Sequence, residues 1–544
     1  MRVLLIPSAA LIPAEMSVNI GSLPSSLCPF QKKAILEHIC AKYEGFVDRI
    51  FVISYHKSEL IEEYVCAKNL PVEIIKLNRF GDLGCSILQG LEYISSRYGI
   101  PSRVYINYGD TLISNSPNSS GNIIYYDETI VDENWTYFQQ FNGVIINIYD
   151  KVSCNKINQS GNVFVGVFEI ADVPLFLSLS LSLSLSHSET DSFYLTLIEY
   201  SRHVPFQYLK CLEWVDVGHN DNSLCAKREV EARDFNVIHI DEKRGILEKT
   251  SQHIQKFIDE INWYLSLPSD LQYLSPRIYK YSTDSSKPII SMEYYGYPTL
   301  HELLVYGNLS HSKWHHIFEK LSFIISDMSN HTSPSISYDK MYQCMYDMYV
   351  TKPISRLNQL RGDKNFDDFF SNEITLNGVA LSSLNEVMDV LPDIMTEHLL
   401  DGYDSQFSII HGDLCFTNIL VETNYNFMRL IDPRGSFGIQ GIYGDVRYDL
   451  AKLLHSVEGG YDFIIEDFVN VNVVNTDISC DFISKPNPIL ELFEHSFSKQ
   501  IEQFNNLRLI ESTLFLSMLP LHKNSLSRQY AMLATGMKLF HEVY

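Results

Sequence analysis

The chain has 544 residues, 45 % hydrophobic and 20 % charged, with a formal net charge of −24. That length calls for more than one core, and that composition lies within the globular range. The acidity argues against a nucleic-acid partner, because such affinity comes mainly from Lys and Arg neutralising phosphates.

In chain order, Met1-Arg2-Val3-Leu4-Leu5-Ile6 reads as a buried first strand running into Pro7-Ser8, not as a signal segment. Residues 49–53 then read as a strand and 58–65 as a helix, and this alternation up to about residue 224 signals a βαβ sheet. Residues 177–186 alternate Leu and Ser strictly, which predicts a half-buried strand. The same repeat is what a reiterated two-base DNA tract encodes, so a phase-variable gene is a second expectation, tested by tract-length variation among clonal isolates. Strand-like pieces at 235–239 and 245–249 precede a helical stretch at 253–265. From residue 299 the chain reads mostly as helix, interrupted near 406–434 by two strand-loop pieces. The resulting division is 1–224 and 225–544, the latter with a small lobe at about 230–298 and a helical lobe at about 299–544. Ten cysteines lack a CxxC pair or a His-Cys cluster and read as reduced thiols. No apolar run approaches the roughly 20 residues that span a bilayer, so a cytoplasmic protein without membrane insertion is expected; oligomeric state is not readable.

Phosphoryl transfer to a hydroxyl needs a group that orients the hydroxyl and oxygen ligands that hold magnesium on ATP. Asp413, in His411-Gly412-Asp413-Leu414, is the candidate catalytic carboxylate. Asn418, five residues on, and Asp432, after an apolar piece, are the candidate metal ligands.

This pattern, His411 through Leu420 with Ile431-Asp432, resembles the aminoglycoside and choline phosphotransferase family. The resemblance implies an α+β, two-lobed, protein-kinase-like domain that uses Mg2+ and ATP. It also implies a strand Lys for the phosphates and a helical Glu that positions it. Lys249 and Glu260 fit those places by order, with Lys243 and Glu248 as alternatives. Met292 and Tyr294 resemble the linker that contacts adenine, and Asp449 resembles the family's structural Asp. Arg434, in Pro433-Arg434-Gly435, either contacts an anionic substrate or pairs with a carboxylate. Trp314, Tyr338, Tyr342, Tyr346 and Tyr349 are either core or a cage for a quaternary ammonium.

In the first half, residues 21–39 resemble the start of sugar-nucleotide pyrophosphorylases and phosphocholine cytidylyltransferases. Asp110, in Tyr108-Gly109-Asp110, and Asp216, in Trp214-Val215-Asp216-Val217-Gly218, match that family's two metal-binding Asp positions. The implied fold is α/β, Rossmann-like, with a mixed sheet and helices on both sides, and the implied cofactor is CTP or another NTP. Gly84-Cys85-Ser86 matches a nucleotide-contacting turn. The chain departs where the family has a glycine-rich loop with an Arg, reading Pro7-Ser8-Ala9-Ala10-Leu11 instead, and it has Ser25-Ser26 in place of the usual Lys. Ser8 with Ala9 is the candidate replacement phosphate turn, and Lys32 or Lys33 the replacement charge. The expected function is a fused enzyme of surface polysaccharide or capsule synthesis that phosphorylates a small alcohol or sugar and then couples it to a nucleotide. A kinase with a silent first domain and a non-enzymatic scaffold are the alternatives.

Overall fold

The computed structural model describes the chain except residues 32, 119, 131–134, 151–159, 185–190, 218–235, 242, 334, 423 and 484–488. It divides into two compact units, residues 1–229 with 306–308, and residues 230–305 with 309–544. The boundary expected at 224/225 lies outside the described residues. Among those described, no helix is long and apolar enough to cross a membrane.

The first unit is mixed α/β. Its first strand, Arg2–Ser8, buries Val3 through Ile6 completely, the near-continuous apolar run that a parallel strand covered on both faces requires. It pairs in parallel with Arg49–Ser54 on one side and Arg103–Asn107 on the other, setting Leu5 opposite both Phe51 and Ile106. Val72–Lys76 extends the parallel part, whereas Ser160–Ile170 joins Arg103–Asn107 antiparallel. Helices Leu83–Tyr98 and Ser192–His203 contribute Ile87, Leu91, Phe193 and Leu197 to the core. The first strand and Arg103–Asn107 run the same way, so Ser8, which ends the first strand, and Asp110, just past the end of the other, lie at the same edge of the sheet, where the Gly109 amide donates to the Pro7 carbonyl at 3.2 Å. Carboxyl edges of this kind are where open α/β sheets place their ligands.

The Leu-Ser tract is not a strand. Its described part lies in the helix Val173–Leu183, whose start is capped by Asp172 accepting from the Leu175 amide at 3.1 Å. Ser178 and Ser182 turn their hydroxyls back onto the carbonyls of Leu175 and Leu179, at 2.9 Å each. The sequence pattern misleads because such back-bonding satisfies serine within a helix, while the cap and Pro174 in the first turn set the helix off.

The second unit begins with an antiparallel sheet ordered Asn236–Asp241, Ile246–Ser251, Ile289–Glu293, Ile278–Ser282. Between its second and fourth strands in that spatial order, the chain forms the helix Ile254–Ser266, which buries Phe257, Glu260, Ile261 and Trp263. The remainder is mostly helical, with Leu384–Met395, Val446–Val457, Phe504–Met518 and Leu526–Val543 sharing one large apolar core. It is interrupted by a second four-stranded sheet, ordered Val379–Leu381, Ile374–Leu376, Asp477–Phe482, Val469–Val474, and by the antiparallel pair Ser408–Ile409 with Tyr443–Gly444, which encloses the hairpin Ile419–Val421 with Met428–Leu430.

A buried ionic contact fastens the short helix Leu300–Val305 to the helix Tyr461–Ile465. His301 Nδ1 lies 2.7 Å from Asp462 Oδ1, and its Nε2 lies 3.4 Å from Glu466 Oε1. Burial opposes its charge, but the two carboxylates outweigh burial and lift its pKa from 6.5 to about 9. A folded-state value above the unfolded one gives stability that is complete below pH 6.5 and lost as the pH rises through 9. The gap corresponds to on the order of 3 kcal/mol. Denaturant midpoints at pH 6 and pH 9.5 should therefore fall more in the parent than in His301→Gln; an equal fall in both would show that His301 is not the titrating group.

Candidate active site

In the second unit, three charged side chains predicted to act together are found bonded to one another. Lys249, central in the strand Ile246–Ser251 and 3 % exposed, donates to both carboxylate oxygens of Glu260 at 2.7 and 2.9 Å and to Asp432 Oδ1 at 2.8 Å. Burial disfavours its charge, yet Asp432 and Glu260 together raise its pKa, so it stays an ammonium. Glu260 is pushed up to about 7, by burial first and by Asp432 second, against the pull of Lys249. Lys243 is exposed, which leaves Lys249 as the strand lysine that meets a helical carboxylate.

Asp432 is reached by a chain of local bonds. The hairpin pairs Ile419 with Leu430, and the Ile431 amide donates to the Asn418 carbonyl at 3.0 Å. Asn418 Nδ2 in turn donates to the Asp413 carbonyl at 2.8 Å. Asp413, Asn418 and Asp432 therefore share one hydrogen-bonded loop pair. Asp432 takes a left-handed backbone with φ of 57°, which Asp tolerates better than most residues, and its amide donates to the Tyr264 hydroxyl at 3.0 Å. With Nδ2 of Asn418 committed, its amide oxygen and the half-exposed carboxylate of Asp432 are both hard-oxygen donors, the chemistry that suits magnesium on a nucleotide.

The loop itself is fixed from beneath. Asp449, 1 % exposed in the helix Val446–Val457, accepts from the amides of His411 at 2.6 Å and Gly412 at 2.9 Å. Burial lowers the His411 pKa to about 4, so its ring is neutral. Its Nε2 lies 3.0 Å from the Ile431 carbonyl, which can only accept, and therefore carries the proton. Gly412 has φ of +78°, and a Cβ there would come within 2.9 Å of Arg434 Cβ, so the position needs glycine.

Beside Asp413 stand groups that sequence reasoning did not assemble. Lys452 Nζ pairs with Asp413 Oδ1 at 2.8 Å, and Tyr448, one turn earlier on the same helix, accepts from Arg434 at 3.1 Å. Lys452 was hidden in an amphipathic pattern; its spacing of three from Asp449 is the signal that could have found it. Met292 is buried in its strand, and the Tyr294 amide donates to the Gly245 carbonyl at 2.8 Å, so that amide closes the sheet rather than facing a ligand. The aromatic residues do not gather into a cage. Trp314 stacks on Phe416 at 6.1 Å, and Tyr349 is fully buried with its hydroxyl donating to Asp445 at 2.8 Å.

In the first unit, the strands Thr111–Ile113 and Trp214–Asp216 pair antiparallel with Asp216 opposite Thr111, and the Val217 amide donates to the Asp110 carbonyl at 2.9 Å. Asp110 and Asp216, far apart in sequence, thus meet at one strand end. The Cys28 thiol, unmarked in the sequence, lies 3.9 Å from the Val217 carbonyl; burial, then Asp110 and Asp216, push it up to about 12. Gly218 and Lys32 lie outside the described residues, and Lys33 pairs with Glu37 at 2.6 Å.

Two expectations need correction here. Ser8 is buried, and its hydroxyl donates to Ser26 Oγ at 2.8 Å and accepts from the Ser26 amide at 3.1 Å, so it ties two loops together instead of presenting itself to a phosphate. Ser86 is buried and back-bonds to the Asp82 carbonyl at 3.1 Å. The amides that would have met a nucleotide are occupied, since Asp191 accepts from Leu83 at 2.9 Å and Gly84 at 3.1 Å, and Asp82 from Cys85 at 2.6 Å. Asp82 also accepts from the Ser192 amide at 3.0 Å, so each Asp caps its own helix and its neighbour's.

No family model matches the chain, and no curated protein matches it. Among solved structures, HddC from Yersinia pseudotuberculosis complexed with GMP-PN is 17 % identical over 42 % of this chain and 98 % of its own, with a TM-score of 0.32. The CTP:phosphocholine cytidylyltransferase LicC from Streptococcus pneumoniae is 13 % identical over 41 % of this chain and 96 % of its own, with a TM-score of 0.33.

Removing the shared cap tests its structural weight. Asp191→Ala should lower stability by about 2 kcal/mol, since it strips acceptors from two helix starts, whereas Ser86→Ala should stay within about 0.5 kcal/mol. Urea unfolding of both variants decides it, and an unperturbed Asp191→Ala midpoint would contradict the cross-capping role.

Proposed function

We propose that the second unit is a protein-kinase-like phosphotransferase that moves the γ-phosphoryl group of ATP to a hydroxyl of a small molecule. The observation that carries this reading is the Lys249 ammonium held between Glu260 and Asp432, next to the loop pair that joins Asp432 to Asn418 and Asp413. In this reading Lys249 steadies the phosphates, and Asn418 and Asp432 hold magnesium. Once bound, that ion would neutralise charge on the phosphates. Asp413 accepts the hydroxyl proton as the acceptor oxygen bonds to phosphorus and the bond to the β-phosphate oxygen breaks, leaving ADP. The placement of Asp449 makes it a support for the loop, since its oxygens lie on amides.

For the first unit the proposed activity is nucleotidyl transfer. Asp110 and Asp216 would hold a metal on an NTP while an incoming phosphate displaces pyrophosphate. The two activities together would activate a small alcohol or sugar for surface polysaccharide synthesis, with the kinase product as the second substrate. The buried Ser8 and the capped helix at Leu83 favour a second reading, in which the first unit binds without catalysing.

A coupled assay with ATP, CTP, GTP and UTP, scoring ADP and pyrophosphate separately, tests both. Asp413→Asn should lower ADP release at least about 100-fold with ATP affinity retained, and Asp432→Ala should lose magnesium-dependent ATP binding. Undiminished ADP release from Asp413→Asn would refute the kinase assignment. Pyrophosphate release that disappears in Asp110→Ala and Asp216→Ala supports nucleotidyl transfer; absence of NTP-dependent pyrophosphate from the parent supports the silent module.

A further inference from the structure

Three cations from three separate elements converge beside Asp413. Arg434 follows the metal-ligand loop, and its own amide donates to the His411 carbonyl at 3.0 Å, which fixes it one residue from Gly412. Its guanidinium donates to the Tyr448 hydroxyl at 3.1 Å. Lys352, at the start of the helix Lys352–Asn358, holds its Nζ 5.8 Å from the Tyr448 ring centroid. Lys452, one turn after Tyr448, completes the group through its 2.8 Å contact with Asp413.

This grouping carries more positive charge than its surroundings balance. Among the described residues neither Lys352 nor Arg434 forms an ion pair, and Lys452 has Asp413. The nearby Asp449 carboxylate is turned to the His411 and Gly412 amides. The crowding shifts the groups within it. Burial, with Arg434 and Lys452, lowers the Lys352 pKa to about 8 against the pull of the Tyr448 phenol. Burial alone would raise the Tyr448 phenol, but Lys352, Arg434 and Lys452 outweigh it and bring its pKa below the ordinary value. Like charges crowded beside a reactive carboxylate are unfavourable in the empty protein and become favourable when an anion sits among them.

We propose that the acceptor is an alcohol bearing a carboxylate or phosphate group, and that Lys352 and Arg434 hold this anion while Asp413 receives the hydroxyl. The proposal rests on the kinase reading and narrows its acceptor. Lys452 serves as a positioning residue that aims the Asp413 carboxylate. Because Lys249 already provides an ammonium for the nucleotide among Glu260 and Asp432, the second group of cations is available to the acceptor. A quaternary ammonium or amino alcohol would meet repulsion at the same place.

The test uses the full-length protein with saturating magnesium and ATP, and compares ADP release and calorimetric binding for D-glycerate, glycerol 3-phosphate and glucose 6-phosphate against glycerol, choline and ethanolamine. At least one of the three anions should bind and turn over at least ten-fold better than every neutral or cationic alcohol. Lys352→Met and Arg434→Gln should raise the KM for that anion ten-fold or more with the KM for ATP unchanged, and Lys352→Arg should restore it. If choline, ethanolamine or glycerol matches the best anion, or if none of the three anions binds, the proposal is overturned. It is equally overturned if the variants raise the KM for ATP and not for the anion, since the cations would then serve the γ-phosphate. Should a variant unfold, the parent's substrate ranking decides alone. Magnesium-dependent ATP binding, measured in the parent and in Asp432→Ala, reports separately on the kinase reading, so loss of one conclusion is distinguishable from loss of the other.

Discussion

The arrangement of the second unit depends on a buried ammonium that no single carboxylate could hold as well as two. Lys249 lies in the strand Ile246–Ser251, Glu260 in the helix that follows, and Asp432 just beyond the hairpin of Ile419–Val421 with Met428–Leu430, so the ion triplet closes three stretches of chain on one point. Desolvation makes a lone buried lysine costly, and removing either partner would leave an uncompensated charge, typically a loss of several kcal/mol. In the proposed kinase reading, the same feature that fixes the sheet against the hairpin would also give a phosphate its counter-charge. Asp432 keeps about half of its side chain exposed while it pairs with Lys249, so the metal-holding role proposed for it would not require the ion pair to open.

A second constraint acts on the loop. Asp449 accepts from the amides of His411 and Gly412, and the neutral ring of His411 meets the Ile431 carbonyl, so backbone and side chain both bind the loop to its neighbour. Trp263 adds its indole N–H to the Ile410 carbonyl at 2.7 Å. Asp413 is thus carried on a segment whose preceding residues are all held, and its carboxylate is then aimed by Lys452. In the proposed reading, such support from the surrounding side chains would keep Asp413 within the narrow geometry that phosphoryl transfer demands.

Much of this was legible because the relevant residues follow local rules. The apolar run of Val3–Ile6 announces a buried strand, and the spacing from Asp413 to Asn418 to Asp432 marks a loop and a hairpin. What escaped was decided by partners distant in sequence. Ser86 fits a nucleotide turn until Asp191, more than a hundred residues later, is seen to occupy the amides at Leu83 and Gly84. The alternation of Leu and Ser suggested a strand, but a cap at Asp172 and serine back-bonding made a helix. Cys28 carried no signal, for its nearness to Asp110 and Asp216 depends on two strands that pair across a separation of about a hundred residues.

The distribution of charge bears on how such a chain works. With a net charge of −24 the protein as a whole repels anions, and it concentrates cations locally beside Asp413. Local fields in a partly desolvated cleft are screened far less than the diffuse charge of an exposed surface. Lys352, Arg434 and Lys452 can therefore dominate within the site even though they are outnumbered over the molecule. Tyr448 is central to that effect, because its phenol oxygen takes up some of the repulsion while Lys352 lies against its ring. An anion entering the group would take over that task from Tyr448, so the same charges that strain the protein alone would favour its loaded form.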